Sequence, residues 1–329
     1  TAEEGIMNRQ STTQVGKTSM AISAGIAGVI LMGASALSAL GWEYARPAVF
    51  ADGVQSSTPS SYVAEVSCTG DGDCTVFGGF RTNIPTVNDS AGYYRVFAMS
   101  SDNGVWATAQ PMEFATDNTD PNYAPDTINP DFSAEDISCT STGDCTAVGL
   151  YRNGNTIDFG YSWTSTDGIW APAQPMQFAN DLAGYVEGAY VYTVSCSSPG
   201  FCTAGGTFDD SNDWLPFTVT SSDGDWADIN PVEFAFLTTG DDGYVNSVSC
   251  SGDGNCTAVG AVATADGNKA FTMTSTTGTW GQAQLVQFVD GVTQSDPRKS
   301  ALYYVSCTSD GYCVAAGTFR NAGGGTETF

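Results

Sequence analysis

Ten cysteines and three arginines are the residues whose type and spacing invite a chemical reading. All ten cysteines fall in five C-x5-C stretches: "VSCTGDGDCTVFG", "ISCTSTGDCTAVG", "VSCSSPGFCTAGG", "VSCSGDGNCTAVG" and "VSCTSDGYCVAAG". Zinc would need four ligands drawn from two stretches and a compartment that keeps thiols reduced. Thiol redox work normally uses C-x-x-C, which is absent. Glycine stands fourth between the cysteines every time (Gly72, Gly143, Gly200, Gly254, Gly311), where it can supply the positive φ of a short hairpin loop. Cysteines at the base of such a hairpin face each other at bridging distance. The pairs therefore read as five local disulfides, Cys68–Cys74, Cys139–Cys145, Cys196–Cys202, Cys250–Cys256 and Cys307–Cys313.

Seven residues after the second cysteine, three of the stretches carry arginine behind an aromatic: Phe80-Arg81, Tyr151-Arg152 and Phe319-Arg320. Guanidinium forks grip carboxylate or sulfate bidentately, so Arg81, Arg152 and Arg320 form a candidate anion-binding cluster. The plainer reading is that each pairs with one of the abundant acids and fixes a loop. Asp117, Asp120 and Asp126 in the loop "ATDNTDPNYAPDTINPD" offer hard oxygen ligands to a structural Ca2+. No D-x-D-x-D-G loop with a distal glutamate accompanies them, and no other metal or cofactor is expected. Histidine is absent altogether, which removes Ser–His–Asp catalysis, His-ligated zinc and imidazole pH sensing.

These groups must be held by a repeat. The first cysteines recur at 68, 139, 196, 250 and 307, a period of 54–57 residues with one longer step of 71. After each disulfide stretch comes a glycine four residues past the second cysteine (Gly78, Gly149, Gly206, Gly260, Gly317), expected to mark a close backbone approach to the neighbouring repeat. A third apolar run follows ("RVFAMS", "FGYSWTS", "PFTVTS", "AFTMTS"), then a tight turn and a fourth run opening on Trp. Four short strands per repeat, with no helical period after residue 42, predict an all-β chain: a five-bladed β-propeller of four-stranded blades with one disulfide per blade. Pro111, Pro175 and Pro231 put the Trp run on the outer edge, leaving the "VSC" strand innermost. Residues 42–54, "WEYARPAVFADGV", align without a gap on 280–292, "WGQAQLVQFVDGV", as a lone fourth strand suited to closing the ring. The last blade, within 61–329, is expected to be truncated as its third strand begins, because Phe329 follows Cys313 nearly as Phe271 follows Cys256.

The formal charge of −26 repels nucleic acid and anionic lipid. Residues 1–41 read as a signal peptide or signal anchor with residues upstream of it. Met7 opens a basic stretch, an uncharged run extends from Thr18 to Trp42, and "ASA" at 34–36 is an A-x-A cleavage site. The remainder is then extracytoplasmic, secreted or at the cell surface, with no membrane contact beyond that anchor.

The turns before each Trp, "SSDNGVW" (Ser100, Asp102, Gly104, Trp106), "STDGIW", "SSDGDW" and "STTGTW", resemble the Asp-box (BNR) turn of sialidase-like propellers. The first matches as Ser100-x-Asp102-x-Gly104 with its Trp one residue early; the next two are shorter and the fourth has Thr277 for Asp. The overall pattern also resembles paired-Cys repeat propellers of secreted bacterial proteins. The resemblance implies a binding or display scaffold for glycan or protein ligands at a cell surface. The alternative it implies is a sialidase-like glycoside hydrolase acting on acidic sugars. Such an enzyme would need an arginine triad and a carboxylate-activated tyrosine, for which Tyr93, Tyr94, Tyr303 and Tyr304 are available.

Overall fold

The computed structural model describes residues 49–50, 60–70, 72–81, 94–113, 131–152, 158–177, 188–210, 213–234, 242–264, 267–288, 299–321 and 323–329. The signal or anchor segment, all but two residues of the lone strand, Tyr93, and Asp117, Asp120 and Asp126 lie outside the described residues. The described chain is all-β. No helix among these residues is long and apolar enough to cross a membrane.

Five antiparallel sheets follow one another. The first holds β1 (Ser61–Gly70), β2 (Asp73–Arg81), β3 (Tyr94–Asp102), β4 (Val105–Trp106) and β5 (Gln110–Pro111). The second holds β6 (Asp131–Ser141), β7 (Asp144–Arg152), β8 (Asp158–Thr166), β9 (Ile169–Trp170) and β10 (Gln174–Pro175). The third repeats the pattern in β11 (Gly188–Ser198), β12 (Phe201–Asp209), β13 (Trp214–Ser222), β14 (Asp225–Trp226) and β15 (Asn230–Pro231). In the fourth are β16 (Gly243–Gly252), β17 (Asn255–Val262), β18 (Lys269–Thr276), β19 (Thr279–Trp280) and β20 (Gln284–Leu285). The fifth has β21 (Ser300–Cys307), β22 (Cys313–Arg320) and β23 (Thr326–Thr328). The expected single fourth strand is in fact two two-residue pieces that both pair with the third strand, and the prolines sit on the second piece, at the edge. Phe329 exchanges backbone hydrogen bonds of 3.0 Å with Gly317, the register Phe271 holds against Gly260.

All five disulfides form as read, with Cα atoms 3.9–4.0 Å apart and no cysteine left free. A second clasp lies beside each of the first four. The hydroxyls of Ser101, Ser165, Ser221 and Ser275 donate to the carbonyls of Gly72, Gly143, Gly200 and Gly254 at 2.7–3.0 Å. The same hydroxyls accept the amides of Cys74, Cys145, Cys202 and Cys256 at 3.0 Å. This corrects the sequence register of the first turn. Ser101 and Asn103, not Ser100 and Asp102, occupy the places of Ser165 and Asp167, so all four turns have one length. Asn103, Asp167, Asp223 and Thr277 have φ of 48–54° and each precedes a glycine of positive φ, the paired left-handed residues of a type I′ hairpin.

The close approach marked by the repeated glycine is also not where it was expected. A Cβ on Gly78, Gly149, Gly206, Gly260 or Gly317 would meet the carbonyl oxygen of Tyr62, Ser133, Tyr190, Tyr244 or Ala301 at 1.8–2.2 Å. Each contact lies within the glycine's own sheet, against the innermost strand, beside a β-bulge. The bulge explains a pattern in the innermost strands. Residues five and two before the first cysteine are three apart, yet both are buried: Ala134 with Ile137, Val191 with Val194, Val245 with Val248, Leu302 with Val305. A regular strand would send them to opposite faces; one extra residue restores them to one.

That shared face packs on the preceding sheet, so the cores lie between sheets. Phe77, Val96 and Met112 of the first sheet pack with Phe132, Ala134 and Ile137 of the second. Hydrogen bonds index the interface: the amides of Cys139, Cys196, Cys250 and Cys307 donate to the hydroxyls of Ser67, Ser138, Ser195 and Ser249 at 2.9–3.0 Å. The first strands of the sheets pack in the series β1, β6, β11, β16, β21, and among the described residues the sheets are not closed into a ring. Phe50 sits against the outer part of the first sheet, bridged in parallel to Ala109, as Phe234 of the third sheet's outer run is bridged to Ala283 of the fourth. Its ring packs on Phe80 and Phe97, each with centroids 5.0 Å away.

Candidate functional site

The three arginines hold one register, the last residue of each second strand. Arg81 is half-buried, with its guanidinium 5.6 Å from the centroid of Tyr94, a cation–π contact inside the first sheet. Arg152 stands in the ladder between Asp131 of β6 and Asp158 of β8. Arg320 is exposed, and its Nε donates to the Gly324 carbonyl at 3.1 Å within its own hairpin. Among the described residues no group of three or more metal-ligating side chains gathers.

A different cluster forms around the bulges. The bulged residue, four before the first cysteine, is Ala64, Glu135, Tyr192, Asn246 and Tyr303 in successive sheets. Because it stands outside the ladder, the bulge aims its side chain independently of the packed face. Glu135 accepts from the Ser133 hydroxyl at 2.8 Å. Burial pushes its carboxyl up to about 7; the Ser133 hydrogen bond opposes the rise, and the charges of Asp136 and Asp158 add to it. On the next strand, burial first and then the charge of Glu135 push the Tyr192 hydroxyl up to about 12. Tyr190 donates to buried Asp158 at 2.7 Å and stacks on Tyr192 with centroids 6.3 Å apart. Trp214, at the start of β13, lies 5.3 Å from Tyr190. Burial also raises Tyr244, with Tyr303 adding to the shift.

The result is an aromatic surface drawn from several sheets with carboxyl groups at one side. Tyr192 and Trp214 each keep about a third of their surface in solvent, 36%, and Tyr303 keeps 41%. Flat rings with one polar edge present an apolar face and a hydrogen-bonding rim at once. Of the four tyrosines expected from sequence, Tyr303 belongs to this group, Tyr94 serves Arg81, and Tyr304 is exposed. Glu135, Tyr190, Tyr192 and Trp214 were missed. The three-residue spacing of buried positions was the available signal, since it locates the bulge and hence the residue expelled from the ladder.

The raised Glu135 carboxyl makes a testable contribution to stability. Its ordinary value is 4.5 and its folded value about 7, so between them the folded chain holds more protons than the unfolded one. That contribution is fully present below about pH 4.5, falls as pH rises, and is spent above about pH 7. Glu135→Gln is expected to abolish the fall. Urea unfolding from pH 4.5 to 7 checks this: the variant should gain on the parent as pH rises, and a pH-independent difference would refute the assignment.

No family model matches the chain, and no curated protein matches it. Among solved structures, a Hadza microbial sialidase is similar over 82% of this chain and 58% of its own, at 11% identity and TM-score 0.47. A Dyadobacter fermentans protein of unknown function is similar over 85% of this chain and 80% of its own, at 14% identity and TM-score 0.49. A Penicillium chrysogenum alpha-L-arabinanase is similar over 73% and 74%, at 11% identity and TM-score 0.38. The chain thus spans little more than half the length of the sialidase it resembles.

Proposed function

We propose that the chain is an extracytoplasmic β-propeller scaffold that binds neutral glycans on its aromatic face. Five disulfides suit an oxidising compartment. The Phe50–Ala109 bridge, the counterpart of Phe234–Ala283, supports reading residues 42–54 as the lone outer strand that closes the ring. The observation that carries the ligand reading is the placement of partly exposed Tyr192 and Trp214 beside Glu135 and Asp158. Apolar sugar faces stack on such rings, and sugar hydroxyls satisfy the acids. The local acids Glu135, Asp136 and Asp158 disfavour an anionic sugar at this position.

Hydrolysis of a sialoside is the second reading, favoured by the proximity of Glu135 to Tyr192. A tyrosine nucleophile needs its hydroxyl pKa lowered, however, whereas burial and Glu135 raise that of Tyr192 to about 12. Binding is therefore preferred. A glycan array followed by calorimetry tests it: Trp214→Ala should weaken the best neutral ligand by at least about tenfold. Absence of any glycan binding would sink the proposal, and Tyr192-dependent turnover of a fluorogenic sialoside would establish the alternative.

A further inference from the structure

The disulfide hairpins lie at the opposite end of the strands from the aromatic face, and side chains bridge from one hairpin to the next across the gaps between sheets. In the first gap, Asp73 accepts the Asn103 amide through one carboxyl oxygen at 2.8 Å. Through the other it accepts the Thr142 hydroxyl of the second sheet at 3.2 Å. In the third gap, Asp253 accepts the hydroxyls of Ser197 and Ser198 of the third sheet, each at 2.7 Å. Thr142 and Asp253 hold one position, three residues after the first cysteine of the later sheet. In the gap between these two, that position is Pro199, whose side chain neither donates nor accepts. Asp144, the counterpart of Asp73, still accepts its turn amide, that of Asp167, at 3.0 Å. Its second oxygen, however, turns back to the Ser141 hydroxyl of its own loop.

A cleft of about 290 Å3 is left there, between the second and third sheets. A sheet flanks each wall, so the cleft lies inside the series and away from both of its ends. Thr140, Thr164, Thr166 and Ser198 line it, with Asp144 from one sheet and Asp223 from the other. No lysine or arginine is among its lining residues. Hydrogen bonds from the Ser141 hydroxyl and the Asp167 amide hold the Asp144 carboxyl below the usual carboxylate range, so it is anionic at neutral pH. Hydroxyl and carboxylate oxygens without a cation among them suit a group that donates hydrogen bonds and carries positive charge. A primary ammonium does both, with three donors and no acceptor on a slim aliphatic stem. The formal charge of −26 draws such a cation in.

We propose that the cleft between the second and third sheets binds a primary alkylammonium, its N–H groups donating to the carboxylates and threonine hydroxyls that line it. A free polyamine and a lysine side chain share this chemistry. The site is separate from the aromatic face, and neither reading depends on the other.

Calorimetric titration of the full chain with 1,5-diaminopentane tests it, with 1,5-pentanediol as the uncharged match. The diamine should bind saturably, and the diol at least about tenfold more weakly. Asp223→Asn should weaken the diamine by about tenfold. The fold tolerates that change, since Asn103 already holds the same left-handed turn position in the first sheet. Asp102→Asn, at an exposed acid of the first sheet, should leave binding unchanged. Pro199→Thr installs the residue that the second sheet has at this position, and it should close the cleft by bridging to Asp144. It should therefore weaken the diamine without lowering thermal stability. A peptide with a single lysine separates the sources: tighter binding than the diamine assigns a lysine-bearing partner, weaker binding a free polyamine. Absence of diamine binding, or equal binding of the diol, would overturn the proposal. So would a Pro199→Thr variant that binds as the parent does. Equal losses in Asp102→Asn and Asp223→Asn would also overturn it, since they would mark general attraction to an acidic surface.

Discussion

Reduction of the five disulfides should unfold the chain at ordinary temperature. Each closes a hairpin loop with a sequence separation of 6, worth about 2 kcal/mol on the chain-entropy model. Five such contributions total on the order of 10 kcal/mol, comparable to the ~5–15 kcal/mol that holds a whole domain together. The bridges also differ in access. Cys202 is 2% exposed, Cys145 3% and Cys256 4%, whereas Cys68 and Cys313 at the ends of the series are exposed. Graded reduction in dilute solution, followed by alkylation and mass mapping, should open Cys68–Cys74 and Cys307–Cys313 first. The Cys196–Cys202 bridge should open last, together with loss of the cooperative thermal transition. Retention of that transition after full reduction would show that the sheets hold without their staples.

What the sequence made legible was what the repeats share. The cysteine spacing, the glycine within each hairpin loop and the Trp after each turn recur, so pairing, strand order and even the register of Phe329 could be read by comparing repeats. The comparison failed where a repeat carries one more residue than a simple match needs. "SSDNGVW" offers two serines, and only the hydroxyl contacts of Ser101 decide between them. The candidate site was hidden for the converse reason. Ala64, Glu135, Tyr192, Asn246 and Tyr303 occupy one structural position with five different environments to answer, so matching repeats discards them as noise. The arginines attracted notice because three copies agreed; the aromatic face is assembled from residues that disagree.

The glycine beside the bulge links the architecture to that face, and Gly206→Ala is the substitution expected to show it. A methyl at Gly206 would lie 1.8 Å from the Tyr190 carbonyl oxygen and 3.0 Å from the Val191 Cα, both backbone atoms that no rotamer change can move. The innermost strand must shift, which destabilises the chain by about 3 kcal/mol or more. Tyr190 and Tyr192 ride on that strand, so the 2.7 Å bond from Tyr190 to Asp158 should be lost as well. Gly224→Ala is the matched control. Its φ of +88° strains any side chain by about 1–2 kcal/mol, but nothing lies within 4 Å of the added methyl. Denaturant unfolding should rank the two far apart, and ligand binding measured on the folded fraction should fall only for Gly206→Ala. Equal costs would mean that the bulge yields freely, and a face built on a yielding bulge could not hold Tyr192 and Glu135 in a fixed relation.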